Sequence, residues 1–494
     1  MPLLTLSIAI PLAAALLVAL LPARFARAPK RIALGAALLS TAAIAATWVR
    51  FDAGQGMQLV EEASWIPSID VAWRLGVDGL SLSLSVLTVV LFLPAIAYGV
   101  GPRPMTRAAA ALLLLLEGAT LAFFLAQDFI LFYVAFDVTL VAMYFLIALW
   151  GEANRRYAAL KFFLYTLLGS LPVLLGIIVL FLVSEPGTFD MIRLVQDPAY
   201  RDASTGASFV FLAFFVGFAI KTPIVPFHTW LPAAHVEAPT AGSVLLAGVL
   251  LKMGGYGLIR VNLQMLPDAF EQYALPVAVL GLVSAVYGSF VALAQRDLKR
   301  LVAYSSINHM GYVVIGVAAA AASGVSPRAR ELALDGAVLQ MIAHGIVTAA
   351  LFFVAGFILE RAKTRDLDQL SGLMRPMPVY GSLTAVLFFA SLGLPGLAQF
   401  PAELQIFLGT FDVFPVIAGI ALLGLLVTAA LFLRALQHAF LGEPDERWLR
   451  LPDLGRRELI ALVPLVLLTV ALGLYPRLAL DLVDSGAWLI GGGR

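Results

Sequence analysis

Cysteine is absent from the 494 residues, and that excludes disulfides, thiolate zinc sites and cysteine-ligated iron–sulfur clusters within this chain. Charge is scarce as well. Asp, Glu, Lys and Arg make up 13% of the residues, against about 25% in an ordinary soluble domain. A net charge of +1 argues against a nucleic-acid partner, which would require a basic face. Neither a His-Glu-x-x-His metal spacing nor a glycine-rich phosphate loop occurs. Long polar stretches are missing too: the longest, near 51–77, 184–206 and 441–456, read as connecting loops, and no segment resembles a soluble domain.

What fills the chain instead is apolar, with 61% hydrophobic residues and a mean hydropathy of +0.95. That exceeds what a water-soluble core buries. Runs of about 20 apolar residues, each long enough to cross hydrocarbon as a helix, recur from end to end. They place helices near 3–22, 31–50, 79–100, 108–126, 129–150, 157–183, 207–226, 240–260, 273–294, 299–322, 332–359, 378–411, 413–440 and 457–475. The pattern predicts an all-α integral membrane protein of about 14 transmembrane helices. No basic residue precedes the first apolar run and several come after it, so a retained helix is expected there rather than a cleaved signal peptide.

Lys and Arg are unevenly shared between alternate loops. One set holds Arg24, Arg27, Lys30, Arg31, Arg103, Arg107, Arg155, Arg156, Lys161, Arg296, Lys299, Arg300, Arg361, Lys363, Arg365, Arg375, Arg447, Arg450, Arg456 and Arg457. The other holds Arg50, Arg74, Arg193, Arg201, Arg260, Arg328, Arg330, Arg477 and Arg494, a split of about 20 to 9. The first set is expected to face the cytoplasm of a bacterial inner membrane, with both termini outside. Three cations remain: Arg434, near enough to a helix end to snorkel, and Lys221 and Lys252.

A charge at the centre of a membrane helix costs on the order of 2.5–3.5 kcal/mol, so such residues face a protein interior or a hydrated cavity and have partners. Lys252 in "AGSVLLAGVLLKMGGYGLIR" is far from either end of its run. Acids lie at comparable depth: Asp137 in "LFYVAFDVTLVAMYF", Glu403 in "LGLPGLAQFPAELQIFLG" and Glu117 in "ALLLLLEGATLAF". His309 in "AYSSINHMGY" and His344 in "LQMIAHGIVTAALF" add two groups that titrate near neutrality. Any one of these could be a structural hydrogen bond or ion pair. As a set they favour a proton relay.

Lys221 stands in "GFAIKTPIVPFHTWLP", where Pro223 and Pro226 break the helix. Irregular backbone at membrane depth persists only where protein or water satisfies it. A second break, "SLGLPGLAQFPAE", lies about five helices later. Paired interrupted helices point to an inverted-repeat transporter, with Lys221 and Glu403 expected in equivalent places. The expected division is residues 1–107 for helices 1–3, 108–260 and 273–440 for the two five-helix repeats, and 441–494 for helix 14 and the tail.

At these residues the sequence resembles a known family. "GFAIKTPIVPFHTWLPAAHVEAPTAGSVLLAGVLLKMGGYGLIR", "MYFLIALWG", "DLKRLVAYSSINHMGY", "LQMIAHGIVTAALFFVAG" and "GLPG" are similar to the antiporter-like membrane subunits of respiratory complex I, most of all the chain M and mitochondrial subunit 4 branch. The resemblance implies two inverted repeats, each with a broken helix, and proton translocation driven by redox chemistry in other subunits. It assigns Lys221 as the broken-helix lysine, Asp137 as its acid partner and Lys252 as the central lysine. His309 and His344 fall in the relay, Glu403 on the outlet and His228 near the inlet. It implies no cofactor in this chain, with NADH, FMN, iron–sulfur clusters and quinone held by partner subunits. The expected partners are other membrane-arm subunits, paralogous antiporter-like chains among them, together with the lipid bilayer and protons. Asp137 stands where the family has Glu, and Leu397, Ala398 and Gln399 stand where it has Thr-Ser-Gly. Subunits of sodium/proton antiporters and membrane-bound hydrogenases share these features. A non-transporting structural subunit is the remaining alternative.

Overall fold

A computed structural model describes residues 2–22, 25, 27–100, 105–200 and 202–483. Arg24, Arg103, Arg201, Arg494 and the tail from 484 therefore lie outside the described residues. Each apolar run becomes a helix because hydrocarbon offers backbone N–H and C=O groups no other partner. In order these are α1 (Leu3–Leu20), α2 (Ala28–Arg50), α3 (Gly79–Tyr98), α4 (Arg107–Leu125), α5 (Phe129–Trp150), α6 (Arg155–Val183), the short α7 (Met191–Gln196), α8 (Thr205–Lys221), α9 (Trp230–Glu237), α10 (Thr240–Leu245) and α11 (Lys252–Gly257). Then come α12 (Pro267–Leu293), α13 (Leu298–Ala321), α14 (Pro327–Ala362), α15 (Pro378–Ser391), α16 (Gln399–Val413), α17 (Pro415–Ala439), α18 (Arg456–Leu474) and α19 (Arg477–Val483).

Among the described residues 12 helices are long and apolar enough to cross a membrane, one of them the continuous span Thr240–Leu263 that contains α10 and α11. Two further spans are each made of two pieces, α8 with α9 and α15 with α16. Together they bring the number to the expected fourteen. Side-chain oxygens at the N-caps start several of them: Asp128 accepts from Ile130 N and Leu131 N, Ser204 from Ala207 N, and Asp297 from Arg300 N.

Burial separates the spans into a centre and a sheath. Thr240–Leu263, α13 and α14 are 100%, 94% and 94% buried, whereas α1, α6 and α17 are 33%, 39% and 39% buried. The three central spans carry Lys252, His309 and His344.

The stretch 51–77 is not a plain loop. Gln58–Ile66 (β1) pairs antiparallel with Val71–Val77 (β2). The turn runs through Pro67–Ile69 and Asp70, which has a positive φ of 56°. The hairpin also caps α1: the Glu61 carboxylate accepts from Leu4 N (2.9 Å) and Thr5 N (2.8 Å). The 184–206 connection likewise contains a helix, α7.

Ion pairs sort to two ends. At one, Arg74 meets Glu62, Asp128 and Asp190, and Arg260 meets Asp78. At the other, Arg365 and Lys299 meet Glu152, Arg365 meets Asp297, and Arg361 meets Glu458. These groupings match the alternate loops read from the sequence. At the first end, burial pushes the Asp128 carboxyl above its usual value, against three backbone donors and Arg74. Arg434 reaches the Leu293 carbonyl (3.0 Å) and stays exposed.

Candidate functional site

Residues 222–229 interrupt the seventh span, and its freed backbone groups find protein partners. The Trp230 indole N–H, on the far piece, donates to the Ile220 carbonyl on the near piece (2.9 Å). Val225 N–H donates to Ser284 Oγ on α12 (2.9 Å). The break leaves Lys221 as the last residue of α8, 1% exposed, with no hydrogen-bond partner for its Nζ. The ammonium instead faces the Phe136 ring, 4.8 Å from its centroid.

Asp137 is next to Phe136 on α5, beside the Tyr133 and Ser170 hydroxyls. It is within electrostatic reach of Lys221. In keeping with an aspartate one methylene shorter than the family's glutamate, no ion pair joins the two, and Asp137 Oδ1, like Lys221 Nζ, lacks a hydrogen-bond partner. The shorter aspartate side chain leaves the aromatic ring as the group over the ammonium. His228 lies inside the break, 6% exposed, with its ring edge-on to Tyr287 at 5.3 Å. No hydrogen bond links it to Lys221, and the nearby cation is Lys161.

Lys252 sits between two π-helical turns, Leu246–Leu250 and Leu258–Leu263. Such turns are rare and frequently mark functional sites. Its Nζ donates to the Ala247 carbonyl (2.5 Å) and lies 2.7 Å from His344 Nδ1. The end of α8 packs closely here: a Cβ on Gly254 would lie 2.6 Å from Thr222 N and closer still to Thr222 Oγ1. Only glycine permits that approach.

From His344 the row continues. The His344 and His309 ring centroids are 5.6 Å apart. His309 Nδ1 is 3.5 Å from both Glu403 Oε1 and Gln340 Nε2, and its Nε2 is 3.4 Å from Ser391 Oγ. These are long for hydrogen bonds. Glu403 is 2% exposed and approaches the second break, where a Cβ on Gly393 (φ +78°) would lie 2.5 Å from Glu403 Oε2.

The second break is closed as the first is. The Gln399 amide, at the start of α16, lies 3.0 Å from the Ala390 and Ser391 carbonyls at the end of α15, and we assign its nitrogen to that side because only that orientation satisfies both ends of the amide. The Leu-Ala-Gln departure therefore supplies the donor that Trp230 supplies in the first break. Lys221 and Glu403, however, do not occupy equivalent places. Lys221 ends the near piece of its span, and the residue in that position of the second span is Ser391. Glu403 lies one turn into the far piece, because the acid must reach His309 across the break rather than sit at its edge.

Glu117 is fully buried on α4 with both carboxylate oxygens unpartnered, and no hydrogen bond joins it to the row. Sequence reasoning misses His235, which falls in an apparent connection between 226 and 240. The residue lies on α9, 0% exposed, with both ring nitrogens unpartnered and its ring stacked on Phe352 at 4.4 Å. It is within electrostatic reach of both Lys299 and Lys252. The only signal is a short apolar stretch, "WLPAAHVEAP", after the break. Among the described residues no group of three or more His, Asp or Glu is arranged to hold a metal ion.

Comparisons with known proteins place the chain in a family. Residues 126–431 match the family described as NADH:quinone oxidoreductase/Mrp antiporter, transmembrane. The chain is 41% identical to NAD(P)H-quinone oxidoreductase chain 4 of Synechococcus elongatus, over 98% of this chain and 90% of that one. It is 40% identical to NADH-quinone oxidoreductase subunit M of Rhodobacter capsulatus, over 87% and 84%. A chain of respiratory complex I from Thermus thermophilus superposes with a TM-score of 0.87 at 31% identity, covering 99% of this chain and all of that one. This multi-pass membrane chain therefore belongs to the NADH:quinone oxidoreductase/Mrp antiporter transmembrane family, and its relatives are the subunit M and chain 4 proteins.

Proposed function

We propose that the chain is a proton-translocating membrane-arm subunit of a NADH:quinone oxidoreductase. In this reading it carries protons along Lys221, Lys252, His344, His309 and Glu403, while electrons move through cofactors held by other subunits. The observation that carries it is the buried row Lys252–His344–His309–Glu403, whose members follow one another at close range from three central spans to the second helix break. An inert spacer has no reason to bear two lysines in a hydrocarbon layer. The Lys- and Arg-rich end is assigned to the cytoplasm, the bundle to two inverted repeats at 108–260 and 273–440, and the partners to neighbouring antiporter-like subunits.

The chemistry rests on charge and solvation. An anion near Lys221 favours its ammonium, and burial without one favours the amine. Moving Asp137 toward or away from Lys221 therefore loads or releases a proton, which passes through water to Lys252. Lys252 hands it to His344 Nδ1, and His309 conveys it to the Glu403 carboxylate. Each elementary charge moved across 100 mV requires about 2.3 kcal/mol. One to two pKa units correspond to about 1.4–2.7 kcal/mol. Rearrangement of one buried pair is thus the right size to drive a step.

The test is proton flux in liposomes containing the assembled complex. Lys252→Met and Glu403→Gln are each expected to suppress flux with assembly preserved, and normal flux in both overturns the relay. The family also contains Mrp antiporters. A sodium/proton exchanger would show flux that depends on sodium, which separates that reading.

A further inference from the structure

At the Lys- and Arg-rich end, the turn between α5 and α6 is fastened to the end of α9. Glu152 N–H donates to the Glu237 carbonyl (2.8 Å), and Asn154 N–H donates to the Glu237 carboxylate (2.7 Å). Residues Gly151–Tyr157 line an open cavity of about 650 Å³ at this turn. Glu152 is in it, with a side chain 35% exposed. The inner side of its carboxylate meets Arg365 Nη1 and Nη2 (2.6 and 3.1 Å) and Lys299 Nζ (3.5 Å). Lys299 is 3% exposed, and its ammonium donates to the Ala238 and Val236 carbonyls (2.6 and 3.2 Å) around the end of α9. Next to Val236 on the same short helix is His235, buried with both ring nitrogens unpartnered and within electrostatic reach of both Lys299 and Lys252. Water, an acid, a buried amine, a free imidazole and the Lys252–His344 pair thus succeed one another inward.

We propose that Glu152, Lys299 and His235 form a second proton port, which admits protons from the cavity at Gly151–Tyr157 to the Lys252–His344 pair without passing Lys221. The Lys299 ammonium gives one proton to a neutral His235 nitrogen and becomes an amine. Glu152, protonated from the cavity, returns a proton to that amine and becomes a carboxylate again, so one proton is gained and no other charge changes. Arg365 is a fixed cation that holds Glu152 against Lys299 and favours the return of its carboxylate form. This port rests on the relay reading, since it delivers into Lys252.

The test uses the assembled complex in liposomes, with Lys299→Arg, Lys299→Met, Glu152→Gln and Lys252→Met measured together. Arginine keeps the positive charge and the donors that cap α9, but it does not release a proton. A merely structural lysine is rescued by arginine; a proton-carrying one is not. Several-fold loss of proton flux per electron pair in both Lys299→Arg and Glu152→Gln, with assembly intact, is the expected result. Wild-type flux in either variant overturns the port. Loss in Lys252→Met beside normal Lys299→Arg removes the port alone, whereas normal flux in Lys252→Met removes the relay itself. If Lys299→Arg fails to assemble, Glu152→Gln decides.

Discussion

The two helix breaks are closed by the same device and put to opposite uses. In each, a side-chain donor at the start of the far piece, Trp230 or Gln399, ties down the last carbonyls of the near piece. At the first break the ionisable group is a cation with nothing to bond to, held beneath an aromatic ring. At the second it is an acid set 3.5 Å from a histidine of the central row. The first is electrostatically unfinished and the second connected. Under the proposed relay Lys221 changes its charge each cycle, and it then gains from lacking a fixed partner, because a tight buried pair is strongly destabilised when one member is neutralised.

The largest test of this contrast is Lys221→Met, expected to lower proton flux strongly, leaving only what enters past Lys299, while the assembled complex stays at least as stable to heat as the wild type. No hydrogen bond is lost, and a buried charge is replaced by an apolar chain of similar volume that still packs on Phe136. A melting temperature that falls sharply would show Lys221 to be structurally paired after all. Next is Glu403→Gln, which keeps a polar contact to His309 but cannot carry a proton. It is expected to reduce flux strongly, and Glu403→Asp to restore part of it, both read by pH-dye quenching in liposomes.

A smaller effect attaches to Asp137. Asp137→Asn is expected to impair flux without abolishing it, since the acid acts on Lys221 through space. Asp137→Glu adds one methylene and is expected to form the direct pair, visible as an ion-pair contact in a structure of the variant, with a change in coupled turnover rather than in assembly. The mildest is Gly254→Ala. Its methyl would press on Thr222 and force α8 and α11 apart, a strain of about 1–3 kcal/mol. A lowered unfolding temperature with partial loss of flux checks it.

Most of the bundle is readable from hydropathy because a membrane helix must be both long and apolar. Hydropathy sets the starts of α12 and α14 late, at 273 and 332 rather than Pro267 and Pro327. Their first turns, "PDAFEQ" and "PRAREL", are polar and look like loop, although proline fits the first turn of a helix. The hairpin escapes notice because "DAGQG" and "IPSID" flank β1 with turn residues and β2 is buried on both faces. Lys252, His309, His344 and Glu403 are legible as isolated ionisable residues in oil. Their order and contacts are not, since these depend on which spans form the centre. His235 is hidden because the residues after a proline break look like surface, whereas α9 turns back into protein.

The sheath of lightly buried helices around three almost wholly buried ones makes the bundle resemble a shielded cable, with the conductor kept from the insulation. The outer faces of α1, α6 and α17 are open to lipid or neighbouring subunits, whereas Lys252 and both central histidines are 0% exposed. Exchanging the surrounding lipids should therefore change how the subunit seats among its neighbours far more than how readily a proton travels along its axis.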